Sequence, residues 1–154
     1  MQIKLKKLNK SAVIPEYKTK GAACFDLVIN TIYQPSPNLV EIGFGIASEI
    51  PEGFEVTVKP RSSFCHKHWV MQNSPGSIDS DYRGEWKCKL EAIPQIMENG
   101  ESIVIPFPYT VGDRVCQAKL ERVIIAEFVE VENLSETSRG DGGFGHTGIK
   151  QTHY

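Results

Sequence analysis

Apolar residues recur at every second position in several short runs of the chain. Ile3 and Leu5 alternate with Lys4 and Lys6. Phe54, Val56 and Val58 alternate with Glu55, Thr57 and Lys59, and Trp86, Cys88 and Leu90 with Lys87, Lys89 and Glu91. A period of two places alternate side chains on one face of an extended backbone, so each run predicts a strand with one face buried. Residues 103–105 and 123–131 are rich in β-branched side chains and predict further strands. Gly, Pro, Asn and Asp interrupt these runs at short intervals. Helical periodicity is confined to one candidate, a short helix over residues 62–69. Many short strands with frequent turns predict an all-β sandwich, jelly roll or barrel. Residues 94–110 read as a hairpin that turns at Glu98-Asn99-Gly100. Beyond residue 133 the chain is turn-rich. The expected organisation is a β domain over 1–133 followed by a flexible glycine-rich arm over 134–154.

A length of 154 residues suits one domain with a real core. The net charge of −2 argues against a general nucleic-acid binder, which would carry a basic excess. Arginines stand at 61, 83, 114, 122 and 139, mostly within Gly/Ser/Asp clusters, so a local anion site fits an acidic chain. Cys24, Cys65, Cys88 and Cys116 include no Cys-x-x-Cys pair, and the first ten residues have no apolar core of a signal peptide. They read as free thiols in a reducing compartment, with a cytoplasmic location expected. Cys65-His66-Lys67-His68 lacks the second ligand pair of a structural zinc site. No run approaches the length of a membrane span.

Five blocks carry candidate chemistry. Gly21 to Leu27 sets Asp26 in a small, apolar stretch. Pro60-Arg61-Ser62-Ser63 opens the candidate helix and reads either as an anion site or as a serine cap. Residues 73–85 offer Asn73, with a donor and an acceptor suited to a base edge. Asp79 and Asp81 fall on one side of this stretch if it is extended, and Tyr82 on the other. In Gly112-Asp113-Arg114-Val115-Cys116-Gln117, Asp113 and Arg114 are expected to form an ion pair, with Gln117 on the side of Val115. The last block, Arg139 to Gly148, has too many glycines for a packed element. It reads either as a flexible, solvated tail or as a segment that folds over a ligand, with backbone N–H groups and Arg139 facing phosphate and Phe144 covering a flat ring. A P-loop reading fails, since Ile149 stands where the lysine is required.

Taken jointly and in this order, GAACFDL, PRSS, NSPGSIDSDYRGE, GDRVCQ and RGDGGFGHTG resemble the five motifs of the trimeric dUTPases, over about residues 1 to 148. The resemblance implies a homotrimer of jelly-roll subunits of the β-clip type, each with one short helix and a mobile C-terminal arm. It implies hydrolysis of dUTP to dUMP and pyrophosphate with Mg²⁺. Asp79 would be the general base. Asn73, Gly76, Ser77, Ile78 and Lys87 would surround the uracil, and Tyr82 would pack under the deoxyribose. Arg61, Ser62, Ser63 and Gln117 would hold the phosphates, and Asp26 would reach Mg²⁺ through water. From a neighbouring subunit, Arg139, Phe144, Gly145, His146 and Thr147 would close the site.

Three positions depart from the family pattern. His146 stands where a serine or threonine is usual, Cys24 where a small glycine is usual, and residues 94–110 are longer than expected. A dCTP deaminase-type enzyme, whose third motif carries a phenylalanine instead of Ser80-Asp81-Tyr82, and a nucleotide-dependent regulatory binding protein are the alternatives on this fold.

Overall fold

The computed structural model describes residues 1–143, 145 and 146, and its elements are almost entirely strands. In chain order they are β1 (Lys4–Lys7), β2 (Phe25–Val28), β3 (Thr31–Ser36), β4 (Leu39–Gly43), β5 (Ile46–Glu49) and β6 (Phe54–Pro60). After a single 3₁₀ turn at Ser62–Phe64 come β7 (Trp69–Met71), β8 (Gly76–Ile78), β9 (Lys87–Ala92), β10 (Gln95–Ile96), β11 (Ser102–Ile103) and β12 (Arg114–Arg122). Two four-stranded antiparallel sheets, in the orders β2-β12-β6-β8 and β3-β4-β9-β7, enclose the core, and β1-β5 and β10-β11 form two-stranded sheets. This is the all-β architecture that the period-two runs predict, of the jelly-roll type that the family resemblance implies.

The large apolar residues of these strands turn inward. Val56 and Val58 from β6, Leu27 from β2, and Val115 and Ala118 from β12 meet Val40 and Ile42 from β4 and Leu90 from β9. Burying one such large aliphatic side chain contributes about 1.5–3 kcal/mol. Trp86 is buried, and its indole N–H donates to Ser48 Oγ at 3.1 Å, which satisfies its one polar group. Across the core, Cys88 and Cys116 bring their Sγ atoms to 3.8 Å and so join the two sheets. Among the described residues, no buried side-chain polar atom lacks a partner.

Three sequence expectations change. The helix over 62–69 is only a 3₁₀ turn, because Cys65 leaves helical space and His66 and His68 take φ of 62° and 57°. A right-handed helix cannot continue through left-handed residues. The hairpin expected over 94–110 does turn at Glu98-Asn99-Gly100, with Gly100 N–H donating to Met97 O at 2.9 Å. Its paired strands stop at Ile103, and residues 104–111 run on without regular structure. The strand expected at 123–131 is absent. β12 ends at Arg122, Val123 N–H makes one bond to Gly53 O at 2.9 Å, and residues 124–136 make no backbone hydrogen bond to another described residue. A β-branched run becomes a strand only when a partner edge is supplied. Its apolar side chains are left outside: Ile124, Ile125, Val129 and Leu134 are exposed, and Phe128 is 94% exposed.

The chain divides into two compact units, Met1–Ile124 and Ile125–Tyr154. No helix among the described residues is long and apolar enough to cross a membrane.

Candidate functional site

Two separate surfaces of the first unit gather the candidate residues. The first is a cleft of about 460 Å³ whose lining includes Cys24, Asp26, Lys59, Arg61, Arg114 and Gln117. Asp26 sits on β2, opposite Gln117 of β12, and is buried. Its Oδ1 accepts from Arg61 Nε at 3.0 Å and its Oδ2 from Arg114 Nη1 at 2.7 Å. Arg61 is fixed at further points, since its Nη1 donates to Arg114 O at 2.9 Å and its backbone N–H to Val115 O at 3.0 Å. Two guanidiniums thus converge on one carboxylate while keeping N–H groups for a second anion.

Arg114 therefore pairs with Asp26, 88 residues away, rather than with its neighbour Asp113. The Asp113 carboxylate instead accepts from Thr110 N–H at 2.8 Å and closes a turn. A β-bulge between Arg114 and Cys116 also breaks the expected alternation. Val115 and Cys116 are both buried, and Gln117 turns to the cleft with its amide donating to Pro60 O at 3.1 Å. Ser62 lines the cleft, and Ser63 offers its carbonyl to Tyr109 Oη at 3.2 Å. Neither serine caps a helix, because Arg61 holds the cap position without a capping bond.

The second surface lies around β8. Asn73 Oδ1 accepts from Lys89 N–H at 3.0 Å and its Nδ2 donates to Lys87 O at 3.4 Å, which fastens this block to β9. One N–H and one lone pair of the amide remain for a base edge. Gly76 is buried, and a Cβ there would lie 3.0 Å from Asn73 O and 3.2 Å from its Nδ2, so a side chain would crowd that amide. Ser77 is exposed and Ile78 buried, as alternation along β8 requires. Residues 79–82 form a turn rather than an extended segment, with Tyr82 N–H donating to Asp79 O at 3.2 Å. Asp79 is exposed at the head of that turn. Arg83 braces it by donating to Ser80 O at 2.7 Å. Tyr82 Oη donates to Glu85 O at 3.2 Å. The Lys87 ammonium lies 2.8 Å from Glu41, and the hydrogen bond to that carboxylate raises the Lys87 pKa.

These surfaces lie at opposite ends of β6. Ile78 is paired with Val56, so Asp79 follows toward the start of β6, whereas Arg61 follows its last residue, Pro60. Six residues of strand separate those levels, or about 20 Å at 3.3 Å per residue. A single subunit does not bring Asp79 to Arg61.

In the second unit, turn hydrogen bonds link described residues on either side of residue 144. Gly140 N–H donates to Thr137 O and His146 N–H to Gly143 O, both at 3.1 Å, and Arg139 Nε donates to Gly142 O at 2.9 Å. Phe144 and Thr147 lie outside the described residues.

Sequence reasoning missed Lys18 and Lys59, which also line the Asp26 cleft. Lys59 carried a usable signal: it directly precedes Pro60-Arg61 at the end of an alternating strand. Lys18 had none, because its approach depends on the loop before β2.

The family model described as dUTPase matches residues 10–148. The chain is 46% identical to the deoxyuridine 5'-triphosphate nucleotidohydrolase of Nautilia profundicola, over 96% of this chain and 99% of that protein. It is 41% identical to the protein of the same name in Helicobacter pylori, over 98% and 99%. Among solved structures, the dUTPase of Staphylococcus bacteriophage 80alpha with dUPNHPP is 25% identical and superposes with a TM-score of 0.77, over 96% of this chain and 99% of that one. A mutant dUTPase of phage phi11 of S. aureus that coordinates a structural Mg(II) ion is 21% identical with a TM-score of 0.69, over 88% and 100%.

Proposed function

We propose a reaction geometry from one premise: the chain belongs to the dUTPase family, and it hydrolyses dUTP to dUMP and pyrophosphate. Asp79 is the general base. It takes a proton from a water that attacks the α-phosphorus in line, the water oxygen bonds to phosphorus, and the bond to the pyrophosphate oxygen breaks. Such a transfer needs positioning and neutralised charge more than covalent help. Asn73, Lys87 and the β8 backbone at Gly76, Ser77 and Ile78 bind the uracil edge, where a wrong donor or acceptor costs more than a missing methylene. Tyr82 packs under the deoxyribose and leaves no room for a 2′-hydroxyl. Arg61, Ser62, Ser63 and Gln117 bind the phosphates. The arm brings Arg139 to the γ-phosphate, Phe144 to the uracil face, and Gly145, His146 and Thr147 to the phosphates.

The separation of Asp79 from Arg61 along β6 supports a shared site most directly. One subunit then supplies the base and uracil surface, a second the Asp26 cleft and a third the arm, in a homotrimer. The exposed apolar run from Ile124 to Leu134 supports the same assembly. An unpaired stretch of this kind stabilises a protein only when a neighbour covers it.

The residues fit Mg²⁺ as an ion carried by the nucleotide. Asp26 spends one acceptor position of each oxygen on arginine and has others for ordered water, and among the described residues no three ligating side chains cluster. Asp26 would hold the ion through a water rather than directly. When bound, the ion neutralises phosphate charge.

Pyrophosphate and ammonia release from dUTP, dCTP, dTTP and UTP, with and without Mg²⁺, tests this reading. Mg²⁺-stimulated pyrophosphate release from dUTP alone is expected. Pyrophosphate from several of these nucleotides would undo the uracil and sugar assignments, and ammonia from dCTP would move the reading to a deaminase.

A further inference from the structure

The cations around the Asp26 cleft are not equivalent. Arg61 and Arg114 are both bound to Asp26, and Lys18 is paired with Glu16. Lys59 lines the same cleft, is half-buried, and has no ion pair or side-chain hydrogen bond among the described residues. Its nearby acid on the sheet, Glu121, is already held by Lys119 at 2.6 Å and by Thr57 Oγ1 at 2.5 Å. Lys59 stands directly opposite Gln117 in the β6–β12 register. Cross-strand partners rise from the same face with Cβ atoms about 5 Å apart. An anion that docks on Arg61 or Arg114 must share them with Asp26. One that docks on Lys59 displaces no existing partner, so the attraction there is not offset by a broken pair.

We propose that Lys59, which lies outside the five motifs, binds phosphate in this cleft. With Gln117 and Arg61 it forms a subsite for the pyrophosphate half of the substrate and for inorganic pyrophosphate after cleavage. The proposal rests on the dUTP-hydrolysis reading above. Cleavage adds negative charge to the leaving pyrophosphate, because the bridging oxygen keeps the bonding electron pair. A compact ammonium on a flexible stem can follow that group as it departs, which a guanidinium tied to Asp26 does less easily. Lys59 therefore holds the product more tightly than the same phosphates within dUTP, and it sets the strength of product inhibition.

The test uses the full-length, assembled enzyme as wild type, Lys59→Gln and Lys59→Arg. Titration calorimetry with inorganic pyrophosphate and Mg²⁺ gives affinity, and inhibition of dUTP turnover by pyrophosphate gives a second reading. Lys59→Gln is expected to weaken pyrophosphate binding roughly tenfold, the effect of losing one charge-assisted contact. The inhibition constant should rise in parallel. Lys59→Arg is expected to restore most of the affinity, and the salt dependence of binding should be shallower in the glutamine variant alone. A glutamine variant with wild-type pyrophosphate affinity overturns the proposal, and so does an arginine variant as weak as glutamine. If wild type turns over dUTP while the variants bind pyrophosphate alike, only the Lys59 assignment falls. If wild type does not turn over dUTP, the reading beneath it falls as well.

Discussion

The Tyr82 ring lies so close to Gly84 that a Cβ at Gly84 would sit 2.5 Å from Tyr82 Cζ. Glycine at 84 thus lets the ring fold back and donate to Glu85 O. Gly84→Ala must displace Tyr82, which is 44% exposed and free to swing outward. With the ring displaced, the proposed floor under the sugar opens. The ratio of kcat/KM for dUTP over UTP should fall about tenfold, mainly through better use of UTP. Steady-state kinetics with both nucleotides checks this, and an unchanged ratio would remove Tyr82 from sugar selection.

Asp79→Asn keeps the shape of the turn and removes the proposed proton acceptor. Turnover of dUTP should drop by at least about a hundredfold, the lower bound for a positioned general base. Binding of a non-hydrolysable dUTP analogue should stay within about threefold of wild type, since the Asp79 side chain makes no hydrogen bond or ion pair with another described residue. Single-turnover kinetics with calorimetry separates the two effects. A variant that keeps near-normal turnover would reassign the base.

Phe128→Glu places a charge in the most exposed part of the apolar run. Sedimentation velocity should show the proposed trimer giving way to monomers, and dUTP turnover should fall with the trimer fraction. Trimers that persist at low micromolar concentration would mean that another surface holds the assembly.

The four thiols should separate in a native titration with an aromatic disulfide reagent. Cys65 is exposed and reacts first. Cys24 is half-buried in the cleft and reacts more slowly, and pyrophosphate should protect it. Cys88 and Cys116 are buried, and the hydrogen bond with Cys116 together with burial pushes the Cys88 thiol far up. Neither should react until denaturant is added. Fast modification of all four under native conditions would mean that the sheets part readily.

Local features of the fold were legible in the sequence, and features that depend on distant partners were not. The β6 and β9 runs alternate strictly and form strands, because a period of two needs only one buried face. Residues 123–131 carry the same residue types and form no ladder, because strand propensity does not reveal whether an edge is available. The Ser62 stretch forms no helix because the backbone turns left-handed at His66 and His68, and histidine, although enriched at positive φ, adopts it at only a small minority of its positions. In the candidate site, Asn73, Asp79 and Tyr82 could be picked out by residue type and order. The partner of Arg114 could not, since a charge 88 residues away looks no different in sequence from one next door.

The placement of Asp79 and Arg61 at the two ends of β6 has a genetic consequence. If each site takes its base from one subunit and its phosphate grip from another, two null alleles of this gene need not be null together. Co-expressed Asp79→Asn and Arg61→Ala chains would each assemble dead homotrimers. Random mixing at equal dose would still leave about a quarter of sites with both intact residues, by counting ordered subunit pairs around a three-fold axis. Intragenic complementation between these alleles would then restore dUTP turnover that neither supports alone, and a single defective allele would poison sites contributed by its healthy partners.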